Sequence, residues 1–271
     1  MPTCRIFSAS GLELRRFNTG LFDSIGEITV GRSSQCDISL KMLTYYTHIS
    51  RLHFVLKREH GEWWIYDRSR VGIVKDCLKI QKYHLHDGDI VRFGQLFLAY
   101  GEHAGPGKYD VEWQDTESGD PMTAVIWPGA NSIGASRDNY ICVREGNISR
   151  FHGVITLKED GRMTFRNINA QLMTRINSEF ITNQSADLHE GDRLSMADFS
   201  VNIVRGKRQS SNLSGLADVN TPNTFVNPAP QHEDNAMSLS HNRKLAIFML
   251  IFVILLLIGV IYAFWKVLFT T

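Results

Sequence analysis

Residues 47–67 read "THISRLHFVLKREHGEWWIYD", and residues 146–167 read "GNISRFHGVITLKEDGRMTFRN". Each has an Ile-Ser-Arg-x-His entry, a short apolar run, a turn containing Gly, and a second run. Runs of this length bounded by turn residues are strand signals. His53 through Lys57 and Val154 through Leu157 alternate as half-buried strands are expected to. Further out, "EITVG" precedes the first copy and "IVRFGQLFLAY" follows it, while "RLSMADFSVNIV" follows the second. "LHDGDIVRFG" at 85–94 is matched by "LHEGDRLSMA" at 188–197. The pairs Ser50/Ser149, Gly31/Gly134 and Gly88/Gly191 each stand roughly 100 residues apart, a domain-sized period that means tandem duplication and not a solenoid. Helical periodicity is hard to find upstream of residue 206. The fold class read from this pattern is all-β, with two tandem β-sandwiches.

The chain has 271 residues, enough for two small domains. We place the first over residues 1–105, a connector over 106–120, and the second over 121–205. Residues 206–244, rich in Ser, Asn and Pro, read as a flexible linker. With 29 Lys+Arg against 28 Asp+Glu, there is no basic excess to suggest a nucleic-acid partner. Cys4, Cys36, Cys77 and Cys142 contain no Cys-x-x-Cys pair, so neither zinc ligation nor a disulfide framework is indicated. A reducing, cytosolic setting is expected for the domains.

Residues 245–265, "LAIFMLIFVILLLIGVIYAFW", carry no charge, with Arg243-Lys244 before them and Lys266 after. As a helix this run would be about 32 Å long, enough for about 30 Å of hydrocarbon. We expect a single C-terminal transmembrane anchor with a short tail over 266–271, and the charge bias favours a cytosolic N-terminal part.

The chemistry-bearing residues come in a fixed order: a strand, Gly31-Arg32, a loop, Ser50-x-x-His53, two strands, "DRSRVG" at 67–72, then "LHDGDIVRFG". This order resembles the forkhead-associated (FHA) domain, a β-sandwich whose loops at one end bind phosphothreonine peptides. The resemblance covers residues 5–100 closely and 121–205 more loosely. It implies that Arg32 and Ser50 hold phosphate oxygens, that Arg51 and Arg70 add charge, and that Gly31, His53 and Gly72 are structural. The residue types suit that ligand. Phosphothreonine carries nearly two negative charges and three acceptor oxygens, which an arginine fork and a short hydroxyl donor match. The plain alternatives are that Arg32 pairs with Asp37 and that Ser50 only forms a turn.

Two departures from the family pattern bear on function. Val71 stands where the family carries an Asn that fixes the peptide backbone, and a lost hydrogen bond costs about 0.5–1.5 kcal/mol. In the second copy, "SIGASRDNYICV" at 132–143 has Ala135 in the arginine's place, and "NINAQLMTRI" at 167–176 has Gln171-Leu172 in place of Asn-Gly. Losing a charged contact costs about 1.5–3 kcal/mol, so the second copy reads as a structural or protein-contact module. No enzyme motif is present: Gly-x-Ser-x-Gly and a Walker sequence are missing, and His84 and His86 have no further metal ligand at sensible spacing. No catalysis, metal or cofactor is expected. Two readings follow. The chain is a membrane-tethered adaptor for a threonine-phosphorylated partner in a Ser/Thr kinase pathway. Alternatively, it is a phospho-independent scaffold among membrane-complex subunits, similar at fold level to cytosolic parts of bacterial secretion-system proteins.

Overall fold

The computed structural model describes residues 2–43, 48–115, 118–143, 147–168, 173–181 and 185–207. The expected anchor at 245–265 lies outside them, as do most of the linker, Gln171-Leu172 and residues 44–47. Among the described residues no helix is long and apolar enough to cross a membrane.

The first eleven strands are β1 (Thr3–Ser8), β2 (Glu13–Asn18), β3 (Glu27–Gly31), β4 (Ile38–Ser39), β5 (Phe54–Glu59) and β6 (Glu62–Asp67). They continue with β7 (Ile73–Lys75), β8 (Leu78–Ile80), β9 (Lys82–His84), β10 (Ile90–Phe93) and β11 (Leu96–Tyr100). Two sheets result, ordered β2-β1-β11-β10-β7-β8 and β4-β3-β5-β6-β9. Their facing residues, among them Ile6, Ile28, Phe54, Leu56, Phe93 and Leu98, form one fully buried core.

The remaining strands are β12 (Tyr109–Gln114), β13 (Pro121–Val125), β14 (Gly129–Gly134), β15 (Ile141–Cys142), β16 (Gly153–Leu157) and β17 (Met163–Asn167). After them come β18 (Thr174–Ile176), β19 (Glu179–Ile181), β20 (Ser185–Leu188), β21 (Arg193–Met196) and β22 (Phe199–Arg205). Their sheets run β13-β12-β22-β21-β18-β19 and β15-β14-β16-β17-β20, the first copy's topology repeated strand for strand. A second core gathers around Val111, Ile133, Phe165, Leu194 and Val201. The fold class expected from the sequence is therefore observed for the described residues: all-β, two sandwiches in tandem.

The structure corrects two details. Residues 109–114, read as connector, are strand β12, which pairs with β22 and β13 and opens the second sandwich. Val111 is its one fully buried side chain, too little apolar signal for a periodicity to show. The alternation expected over 53–57 is also absent, since His53, Phe54, Val55 and Leu56 are all buried. Val55 faces away from the core, but its cross-strand partners Thr29 and Tyr66 leave it only 3% exposed.

A third apolar cluster joins the two copies. Phe7, Ile90, Phe97 and Ala99, on the outer face of the β1-containing sheet, pack against Val125 and Trp127 of the second copy. The Phe97 and Trp127 rings stack with centroids 4.1 Å apart, and the Trp127 indole N–H donates to Tyr140 Oη at 3.0 Å. Polar contacts frame the cluster. Arg92 Nη2 donates to the Asp138 carbonyl (2.9 Å), Tyr140 Oη to the Ala9 carbonyl (3.3 Å), and Ala130 N–H to Asp76 Oδ1 (3.1 Å).

Candidate phosphopeptide-binding site

Three loops meet at one end of the first sandwich: β3 to β4, β4 to β5, and β6 to β7. Backbone hydrogen bonds lock the first two together, Arg32 N–H to the Ser50 carbonyl and Ser33 N–H to the Arg51 carbonyl, both 2.9 Å. Gly31 permits that approach, because a Cβ there would sit 2.2 Å from the Arg51 carbonyl oxygen. The third loop joins through Ser50 Oγ, which accepts from Arg70 N–H at 3.3 Å. This loop is itself closed by Asp67 Oδ1 accepting from Ser69 N–H and Ser69 Oγ accepting from Gly72 N–H, both 2.8 Å. Gly72 has φ +88°, a left-handed conformation that glycine adopts without strain. Ser50 thus touches all three loops, and Ser33, Asp67 and Ser69 hold the cluster alongside the expected residues.

His53 is fully buried beneath the loops, edge-on to Phe93 with ring centroids 5.4 Å apart. Its Nδ1 accepts the Ser50 backbone N–H at 3.1 Å. Accepting at Nδ1 places the imidazole proton on Nε2 in the neutral ring. Burial pushes the ring's pKa down to about 4, with the Asp67 charge opposing. Ser50 Oγ bonds to the Arg70 amide and His53 to the Ser50 amide, so this pair is arranged as a loop brace and not as nucleophile and base.

Arg32, Arg51 and Arg70 are exposed on this rim, and none forms an ion pair among the described residues. Arg32 is not paired with Asp37, whose Oδ2 accepts from Thr29 N–H (2.8 Å) and Thr29 Oγ1 (2.6 Å). The site therefore combines three guanidinium groups without counter-charges among the described residues with a hydroxyl whose proton remains available for donation. That set matches a dianionic, oxygen-rich ligand. Val71, 41% exposed beside them, brings no polar atom to the rim.

In the second copy the same frame carries different chemistry. Ala135 N–H donates to the Ser149 carbonyl and Ser136 N–H to the Arg150 carbonyl, both 3.0 Å, and Gly134 again makes room. Cys36, which donates to the Arg51 carbonyl, is replaced by Asn139, whose Nδ2 donates to the Arg150 carbonyl at 2.6 Å. His152 is buried like His53, but its Nε2 bonds Thr174 Oγ1 at 2.9 Å. Thr174 stands in register with Ile73, opposite Met196 as Ile73 is opposite Phe93. Tyr140 takes the position of Asp37, its amide donating to Ser132 Oγ as the Asp37 amide donates to Thr29 Oγ1. The loop that carries Arg32 in the first copy thus carries the interface residues Asp138 and Tyr140 in the second.

The FHA domain profile matches residues 28–94 and 131–197, one match in each sandwich. The chain carries two FHA domains in tandem. Among solved structures it is similar to the FHA domain of an Arabidopsis thaliana hypothetical protein, at 18% identity and TM-score 0.34, over 41% of this chain and 98% of that one. It is also similar to Mycobacterium tuberculosis EmbR in complex with a low-affinity phosphopeptide, at 21% identity and TM-score 0.30, over 37% of this chain and 25% of that one. A search of curated proteins finds no match.

Proposed function

We propose that this chain is a phosphothreonine-peptide-binding adaptor in which the first FHA domain is the receptor and the second a protein-contact module. The observation that carries this reading is the rim of Arg32, Arg51 and Arg70, unpaired among the described residues, on loops tied together through Ser50. A phosphothreonine brings nearly two negative charges and three acceptor oxygens. The Arg32 fork takes phosphate oxygens, the Ser50 hydroxyl donates to another, and Arg51 and Arg70 strengthen the field around them. The brace beneath, from His53 to the Ser50 amide, holds these donors in place before the ligand arrives. Tethering by residues 245–265, with both FHA domains on the cytosolic side, completes the proposal and is supported by the uncharged run and its flanking charges. The partner is a substrate of a Ser/Thr kinase.

A phospho-independent scaffold is the second reading, favoured by the apolar Val71 on the rim and by the second copy's loop packing against the first. Binding of the full-length chain to phosphothreonine peptides, each beside its unphosphorylated twin, separates the two. Phosphate-dependent binding that disappears in Arg32→Ala supports the adaptor. Equal binding of both peptide forms, or none by a folded protein, leaves the scaffold.

A further inference from the structure

The end of the first sandwich opposite the phosphate loops holds a cavity of about 370 Å3. It lies the length of β5 away from Ser50, roughly 20 Å for a six-residue strand. Arg58, Trp63, His84, His86, Asp87 and Tyr100 supply its main walls. Trp63 is 4% exposed and Tyr100 6%, but the indole N–H and the phenol make no hydrogen bond to a described residue and remain open to solvent. An aromatic residue with a buried apolar body and a wet polar tip is a type enriched at binding interfaces.

Two contacts tie charged and imidazole groups in the cavity wall. Arg58 Nη1 lies 3.0 Å from Asp23 Oδ1, and His84 Nε2 lies 2.8 Å from Glu62 Oε2. Asp87 has no ion pair among the described residues. Its carboxylate lies against Gly101, φ +103°, where a Cβ would come within 1.6 Å of Oδ1. The exposed Asp87 carboxylate, without an ion pair among the described residues, therefore lines a cavity walled by aromatic rings.

The second copy shows that the fold does not need these side chains. By strand register, Arg58 corresponds to Leu157 and Trp63 to Met163, while Tyr100 and Ile203 receive equivalent backbone bonds from Gly88 and Gly191. Leu157, Met163 and Ile203 are buried members of an apolar core. The first copy thus carries Arg58 and two polar-tipped members of its own core, Trp63 and Tyr100, where the same topology closes with Leu157, Met163 and Ile203.

We propose that this cavity binds the arginine side chain of a partner peptide, with Asp87 as counter-charge and Tyr100 Oη as a hydrogen-bond acceptor. A guanidinium is planar, weakly hydrated, carries five donors and is attracted to aromatic faces. The peptide's carbonyl oxygens supply acceptors for the Trp63 N–H. This interaction needs no phosphate and uses the end of the domain that Arg32 does not reach.

The test is titration calorimetry of the full-length chain with an unphosphorylated, end-blocked arginine peptide and its citrulline counterpart, which keeps the shape and removes the charge. The expected result is saturable binding of the arginine peptide, weakened about tenfold or more by citrulline or by Asp87→Asn. Tyr100→Phe, which removes only the hydroxyl, weakens it severalfold, and Arg32→Ala leaves it unchanged. Circular dichroism confirms that each variant is folded. The proposal is overturned by no saturable binding of the arginine peptide, by equal affinity for the citrulline form, by an Asp87→Asn variant that binds like the parent, or by loss of binding in Arg32→Ala.

Discussion

The two FHA domains share a loop frame but differ in what the frame presents. In both, a glycine ends the third strand, two amide-to-carbonyl bonds lock the next two loops, and a buried histidine sits beneath. The first copy then presents Arg32, Ser50 and Arg70 to solvent. The second presents Ala135 and turns Asp138 and Tyr140 toward its neighbour. Backbone hydrogen bonds and glycine clearances fix the frame, so the side chains on it are free to change. The difference teaches that a recognition loop can become an interface loop without moving the backbone that supports it.

The strongest test of that contrast is Trp127→Ala. Trp127 is 2% exposed, stacks on Phe97 and bonds Tyr140, so the substitution removes the centre of the contact between copies. We expect a loss of about 3–5 kcal/mol in urea unfolding, with the first copy's outer sheet face newly wet. Unchanged stability would mean that the second copy's loop does not brace the first. For the same reason, binding is better measured on the full chain than on an isolated first domain.

The buried histidines offer a second test. His53 titrates near 4 in the folded state because it is buried, against about 6.5 unfolded. The unfolded state therefore takes up its proton first as pH falls. The stability that the neutral ring contributes is present above about pH 6.5 and is lost between there and about pH 4, in total about 3 kcal/mol. His53→Asn, which keeps an acceptor for the Ser50 amide, should flatten that part of the stability-versus-pH curve. Burial lowers the pKa of His152 as well, so its contribution has the same sign. If wild type and His53→Asn show the same slope in chemical denaturation between these pH values, the assignment to His53 fails.

Arg32→Ala compares the two rims directly, since it gives the first copy the residue found in the second. Phosphopeptide affinity should fall roughly ten- to a hundredfold, about 1.5–3 kcal/mol, while Arg137→Ala, at the exposed arginine that follows Ala135-Ser136 in the second copy, leaves it unchanged. Fluorescence polarisation with a labelled phosphopeptide reads both. A loss on Arg137→Ala would place the receptor in the wrong domain.

Much of this was legible in the sequence because the deciding signals are local. Short strands bounded by Gly and Asp turns, repeated at domain spacing, give the sandwich and its duplication. The order Gly31-Arg32, Ser50-x-x-His53 and Asp67-x-Ser69-x-x-Gly72 names the loops that the fold brings together. What the sequence hid depends on contacts between distant segments. β12 has a single fully buried apolar residue and becomes a strand only because β22 and β13 pair with it. Val55 shows no alternation because Thr29 and Tyr66 cover it from neighbouring strands. Trp127 and Tyr140 are ordinary aromatic residues until Phe97 lies against them. Tyr100 looks like one more core position in "FLAY", and only the register with Ile203 marks its hydroxyl as unusual.

Val71 is the finest point of comparison, because it departs both from the Asn that the FHA resemblance implies there and from Gln171 of the second copy. Asp67, Ser69 and Gly72 fix its loop by hydrogen bonds that do not involve the Val71 side chain. At 41% exposure, an Asn there meets water, so the substitution should change stability by less than about 0.5 kcal/mol. A side-chain amide at 71 offers a donor and an acceptor to a peptide backbone lying across Ser50 and Arg70. We therefore expect Val71→Asn to tighten phosphopeptide binding by up to about tenfold, equivalent to about 0.5–1.5 kcal/mol, while Val71→Ala does not. Equal gains in both variants would show that removing the branched side chain, and not the new hydrogen bond, is responsible. No gain in either would mean that the peptide backbone does not pass over position 71, and that Arg70 already serves the role the family gives to its Asn.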